Sequence, residues 1–366
     1  MGVRRNGAHG RSRLRLRGRS PDPRLALVAA AAAAGLVTVA VATASVQHVD
    51  AAGQRTPVRH ASTRSDPGPG TAYGGKPGTA TAALMPAAGA YLGAYVQPAT
   101  YTTRGEIDAI LSFERQLGRP LGLVHVYHQW DSPFPSPADK YFVRSGKALL
   151  LTWSGTPDTR TIAAGGYDAL IRQRAEAVKH LGRPILIEFR HEMDRPNLRW
   201  AMHSPADYIA AWDHIRSIFS AVGAANVSWV WCPTAYGFTV GRAQAFYPGN
   251  SEVDFVCADA YSPSPLVPLS VIVEPFLAWA AQHPKPAIIG EFGVGGNPAG
   301  WPSWLAAAGR LARRDTQIKA LGYFSGNGTD SSGHPYKYFM GGHVAATRAF
   351  ARLLAEPYFE SRLPRA

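Results

Sequence analysis

Cysteine is nearly missing from this chain: Cys232 and Cys257 are the only two among 366 residues. Each lies in an apolar strand-like run, Val227 to Cys232 and Val253 to Ala258, which favours two small core side chains over a disulfide, though an exported protein could bridge them. No Gly-x-Gly-x-x-Gly follows a strand-like run and opens a helix, which removes the main support for a dinucleotide-binding reading. His191-Glu192 begins like a zincin motif, but the required second histidine is replaced by Arg195, so the metalloprotease reading fails. No cluster of metal ligands is evident, and neither metal nor cofactor is expected. There is no internal repeat. Positive charge is abundant but badly placed for nucleic acid. Residues 1–46 hold eight arginines and one aspartate, and without them the formal +13 becomes +6, spread along the chain.

What is present starts with a long apolar run. Leu25 to Val46 gives 22 uncharged positions rich in Ala, Val and Leu, behind Arg4, Arg5, Arg11, Arg13, Arg15, Arg17, Arg19 and Arg24. That length spans a bilayer with the basic flank, residues 1–24, in the cytoplasm. Ala42-Thr43-Ala44 resembles a cleavage site, so residues 25–46 are an anchor to the membrane or a signal peptide. Either way the remainder is expected outside the cell, tethered or secreted. Residues 47–85 carry six glycines, four prolines and five threonines with few large apolar side chains, and read as a flexible linker.

Residues 86–366 alternate strand-like and helix-like runs. Strands are expected at 91–95, 121–127, 148–153, 185–189, 227–231, 254–258, 287–290 and 320–324. Helices are expected at 104–117, 167–181, 206–222, 270–282, 301–313 and 344–355, with weak signals after the second and fifth strands. Eight strands with helical crossovers over this length predict a (β/α)₈ TIM barrel, in the α/β class.

Two of these runs lead into carboxylates. On this count Glu192 ends strand four and Glu291 ends strand seven, where barrel enzymes keep their chemistry. Strands about 4.8 Å apart and tilted near 36° give a barrel radius of roughly 7–8 Å. Carboxyls reaching inward from strands three places apart then lie about 5–6 Å from one another, the spacing of a retaining glycosidase pair. One must stay protonated to serve as acid and the other ionised to attack. His191 is placed to hold the nucleophile or a sugar hydroxyl. The competing reading pairs the glutamates with Arg190 or Arg195 as structural ion pairs.

The segment His191-Glu192-Met193 with Trp200, together with Gly290-Glu291-Phe292-Gly293, resembles family 26 of the glycoside hydrolases, the β-mannanase family. Phe246-Tyr247-Pro248-Gly249-Asn250, Val253-Asp254 and Asp259-Ala260-Tyr261 resemble its passage between strands five and six. The resemblance implies a retaining (β/α)₈ hydrolase with Glu192 as acid/base and Glu291 as nucleophile. It implies substrate contacts for His191, Tyr261 and Trp200. The chain departs from the family at Asp194-Arg195, where Asn-Gly is usual, and at Glu188, where arginine is common. Trp130, Trp153, Trp231 and Phe292 fall at or beyond strand ends and are further substrate-binding candidates, since aromatic faces stack on sugars. The expected partner is a polysaccharide, most of all β-1,4-mannan. Silent carbohydrate-binding barrels and hydrolases of β-glucan, β-xylan or an exopolysaccharide are the alternatives, and a monomer is expected.

Overall fold

The computed structural model describes residues 79–262, 264–329 and 333–364. The basic tail, the apolar run 25–46 and linker residues 47–78 lie outside the described residues. Among the described residues no helix is long and apolar enough to cross a membrane.

Eight parallel strands form a closed barrel: β1 Ala90–Val96, β2 Leu123–His128, β3 Ala148–Trp153, β4 Ile185–Phe189, β5 Val227–Trp231, β6 Phe255–Ser262, β7 Ala287–Val294 and β8 Ile318–Ser325. Neighbours pair in chain order, and β8 returns to β1 in a continuous register from Tyr91–Ala320 to Val96–Ser325. This is the expected (β/α)₈ architecture. The weakly signalled crossovers contain the short helices Pro137–Arg144 and Ala235–Thr239. The helix expected over 270–282 is two pieces, Leu269–Ile272 and Glu274–Ala280. Pro275 has no N–H to continue the first piece, so it opens the second instead.

Strand side chains alternate between two cores. Tyr91, Leu123, Leu150, Leu186, Val230, Phe255 and Ile288 fill the barrel interior. Leu92, Val124, Leu151, Ile187, Trp231, Val256 and Ile289 form the layer under the helices. The sequence assigns residues 79–85 to the linker, but Thr79–Leu84 is a helix. Leu84 joins the interior core, and Thr81 Oγ1 lies 2.9 Å from Ser228 Oγ. The folded unit therefore already includes Thr79.

Cys232 and Cys257 form a disulfide rather than two free core thiols. The register explains it. Val230 pairs with Phe255 and Trp231 with Val256, so the next inward-facing positions, Cys232 and Cys257, sit side by side with Cα atoms 4.3 Å apart.

Gly290 packs against this bridge. A Cβ there would lie 2.7 Å from Cys257 Sγ, 2.9 Å from Asp259 Oδ1 and 3.1 Å from Cys232 Sγ. Gly290→Ala is therefore expected to cost about 1–3 kcal/mol through overpacking. Denaturant unfolding measures this, and an unchanged midpoint would show that the floor under Glu291 yields freely.

Candidate active site

A bulge in β7 aims Glu291. Between the pairs Ala258–Ile289 and Ala260–Phe292, β6 advances two residues while β7 advances three. Against β8 the same stretch of β7 is again one residue longer, between Ile289–Leu321 and Phe292–Tyr323. Simple alternation from inward-facing Ile288 would turn Glu291 outward, and the extra residue re-aims it into the barrel mouth. There Tyr127 donates its hydroxyl to Oε1 at 2.5 Å, and Tyr261 donates to Oε2. The Glu291 N–H donates to Asp259 Oδ1 at 2.8 Å. Glu291 thus lies inside its strand rather than at the strand's end.

Glu192 lies three residues beyond the last residue of β4, on a tight turn. Arg190 and Glu192 both have positive φ, 55° and 52°. Such conformations cost non-glycine residues about 1–3 kcal/mol and collect at functional sites. Three bonds hold the turn. Arg190 N–H donates to Trp153 O, Glu192 N–H to Cys232 O and Arg195 N–H to Glu192 O. Asp194 accepts from the Thr234 N–H at 2.8 Å and the Thr234 hydroxyl at 2.7 Å, tying the turn to the loop after β5. Arg195 Nη1 meets Glu192 Oε2 at 2.6 Å, and both side chains are buried. The ion pair weighed as an alternative from sequence is therefore real for Glu192.

Burial pushes the Glu192 carboxyl up to about 7, against the pull of Arg195. Burial and then the Glu192 charge push Glu291 up to about 7 as well, against His125 and the two phenols. The two carboxyls sense each other, so the protons leave the pair in linked steps. Burial and the Glu291 charge hold Tyr127 and Tyr261 well above the usual phenol range, so both remain donors. His191 is buried and its pKa lies well below the usual histidine value, through desolvation and then Arg190, His125 and Arg195. It is a neutral ring against Tyr127, 5.8 Å between centroids, and the side chains that hold Glu291 are the two tyrosines rather than His191.

The other expected contacts divide. Tyr261 is at the centre. Trp200 projects into solvent, 63% exposed, from the helix Arg199–Met202. Trp130, Trp153, Trp231 and Phe292 are core residues of the layer beneath the helices, which corrects their assignment to the substrate. Trp130 stacks on Trp153 at 4.3 Å, Trp231 packs against Trp279 at 5.2 Å, and Phe292 meets Tyr323 at 5.3 Å. Alternation explains this for the strand tryptophans: Thr152 and Val230 face inward, so Trp153 and Trp231 face outward. His128 faces outward too, 2.8 Å from Asp139. The aromatic wall of the mouth is Tyr95, Tyr127, Tyr261, Phe324, Tyr336 and Tyr338. Of these the sequence names Tyr261 as a substrate contact. A separate cavity of about 430 Å³ lies between the ends of β1 and β8 and the helix Thr103–Leu117, lined by Gln97, Thr100, Arg104, Asp108 and Phe339 among others, and shares no lining residue with this wall or with the two glutamates.

The family model of glycosyl hydrolase family 26 matches residues 152–271. Endoglucanase H of Acetivibrio thermocellus is 31% identical over 221 residues, covering 54% of this chain and 24% of that protein. A beta-1,3-xylanase of an Alcaligenes species is 27% identical over 150 residues, covering 39% and 30%. The matched stretches thus span about a quarter to a third of those relatives' length. A family 26 beta-mannanase from Bacteroides ovatus superposes with a TM-score of 0.54 at 16% identity, over 77% of this chain and 92% of that one. An endo-beta-1,4-mannanase double mutant from Cellulomonas fimi gives 0.58 at 14%, over 79% and 77%. These likenesses support the expected family and barrel.

Proposed function

We propose that this chain, a barrel whose residues 152–271 match the family model of glycosyl hydrolase family 26, is a retaining endo-β-glycosidase acting on β-1,4-mannan. One observation carries the reading: a buried carboxylate at the barrel mouth receives two phenol hydroxyls, within electrostatic reach of a second buried carboxyl. Glu291 attacks the anomeric carbon as the bond to the leaving oxygen breaks, and Glu192 delivers its proton to that oxygen. Glu192 then takes a proton from water, which attacks the same carbon and frees Glu291. Two inversions give net retention. Tyr127 and Tyr261 orient the nucleophile and keep it from collapsing onto its neighbours. The tyrosine-rich wall stacks on sugar faces, and the exposed Trp200 ring offers a further platform. The enzyme works outside the cell, exported through residues 25–46.

The names of the relatives favour β-glucan and β-xylan as the second choice. Incubation of the chain with mannan, glucan and xylan polymers, read as new reducing ends, decides between them. Mannan cleaved fastest, with internal cuts, is expected. No cleavage of any polymer by a folded chain that still binds one would leave a binding barrel instead.

Arg195 supplies a pH signature. Its charge opposes protonation of Glu192, so Arg195→Met is expected to raise the pKa of the acid by about one unit. Activity needs Glu192 protonated, so the alkaline limb of kcat/KM moves to higher pH while the acid limb stays. A pH–rate profile with both limbs unmoved would remove Arg195 from control of the acid.

A further inference from the structure

Beneath the two carboxyls lies a polar cluster that the proposed reaction leaves unused. Glu188, Cys232, Cys257 and Asp259 face into the barrel, are fully or almost fully buried, and each places one ligand atom within 4.8 Å of all the others. They come from three adjacent strands or strand ends, β4, β5 and β6. Among the described residues Glu188 Oε1 and Asp259 Oδ2 have no hydrogen-bond partner. Leaving a buried polar oxygen unpaired costs about 1–3 kcal/mol, a cost that a cation bound in the cluster would remove. Glu188 Oε2 accepts from Thr152 at 2.5 Å, and His125 Nε2 stands 3.6 Å from it, which leaves the other oxygen still uncompensated.

With the bridge closed, the sulfurs are poor ligands. With it open, two thiolates and two carboxylates surround one point, a donor set suited to the tetrahedral sites of zinc-class cations. We infer that reduction of the Cys232–Cys257 bridge creates a binding site for one zinc-class divalent cation, held by Glu188, Cys232, Cys257 and Asp259. A dithiol reductant supplies two electrons and two protons to the sulfurs and leaves as its own disulfide. The cation then displaces both thiol protons. The thiol form is also the one in which each new chain is made.

Occupation acts on the residue above. Asp259 Oδ1 holds the Glu291 N–H at 2.8 Å, and Gly290 lies against both sulfurs. A cation drawing in Asp259 and spreading the sulfurs loosens the floor that positions Glu291, so the loaded form is a less active hydrolase. The metal site itself does not depend on the glycosidase reading, and its test does not use activity.

The chain is incubated with a dithiol until two thiols titrate, then with cadmium alone as the probe. One cadmium per chain, with a thiolate-to-cadmium ultraviolet band, is expected for the reduced chain and none for the oxidised one. Glu188→Gln is expected to weaken binding by about tenfold or more and Cys232→Ser to remove the band. Circular dichroism reports whether the reduced chain stays folded. A folded reduced chain that takes no cadmium overturns the inference, as does Glu188→Gln binding with full affinity. A chain that unfolds on reduction and is not restored by cadmium overturns it equally.

Discussion

Glu291→Gln is expected to lower kcat on polymer by on the order of 10⁴-fold or more, because the amide cannot form the glycosyl ester. The same change is expected to stabilise the fold. Burial raises the folded-state pKa of Glu291 from 4.5 to about 7. A carboxyl raised in this way favours folding below about pH 4.5, and that contribution is lost as pH rises through about 7. At pH 8 the wild-type chain therefore carries a buried, disfavoured charge that glutamine lacks. Thermal unfolding should show Glu291→Gln more stable at pH 8, by at most about 3 kcal/mol, with the gain vanishing near pH 4. A large loss of stability together with the loss of activity would mean that Glu291 serves the fold rather than the reaction.

Glu192→Gln gives the second large effect, and it depends on the leaving group. A sugar leaving oxygen needs a proton in the transition state, so polymer cleavage is expected to fall on the order of 10²–10⁴-fold. An aryl glycoside with an acidic phenol needs none. Its first step should survive, giving a burst of phenol followed by slow turnover, because the water-attack step still lacks its base. Equal losses on both substrates would sink the assignment of Glu192 as acid/base. The strained turn makes a control useful: a variant that has lost the turn altogether would fail on both substrates and also unfold earlier.

Much of the barrel was legible because its strands are apolar and its helices amphipathic. The bounds of β3, β4 and β5 match the expected ranges, and the chain-order pairing follows from the crossovers. The site was less legible where polarity interrupts a strand. Asp259 and Glu291 look like strand ends, yet β6 and β7 run four residues past their expected last positions, to Ser262 and Val294. The bulge at Gly290-Glu291 appears only once the registers of both neighbours are set. Trp153 and Trp231 were assigned by position along the chain alone, whereas the two-residue alternation already turned them away from the mouth. That same alternation points Tyr95 and Tyr127 inward, and it was the signal for the aromatic wall. The disulfide needed the β5–β6 register, and the positive φ of Glu192 left no mark that composition could carry.

In the proposed mechanism Glu291 bonds directly to the sugar, and the stereochemistry of the first product is the measurement closest to that step. Proton NMR during early hydrolysis of a β-linked oligosaccharide reads the anomer released before mutarotation. The β-anomer first, relaxing later to the equilibrium mixture, is the result expected from two successive displacements. The α-anomer first would mean that water attacks in a single step, with Glu291 as its base rather than the nucleophile.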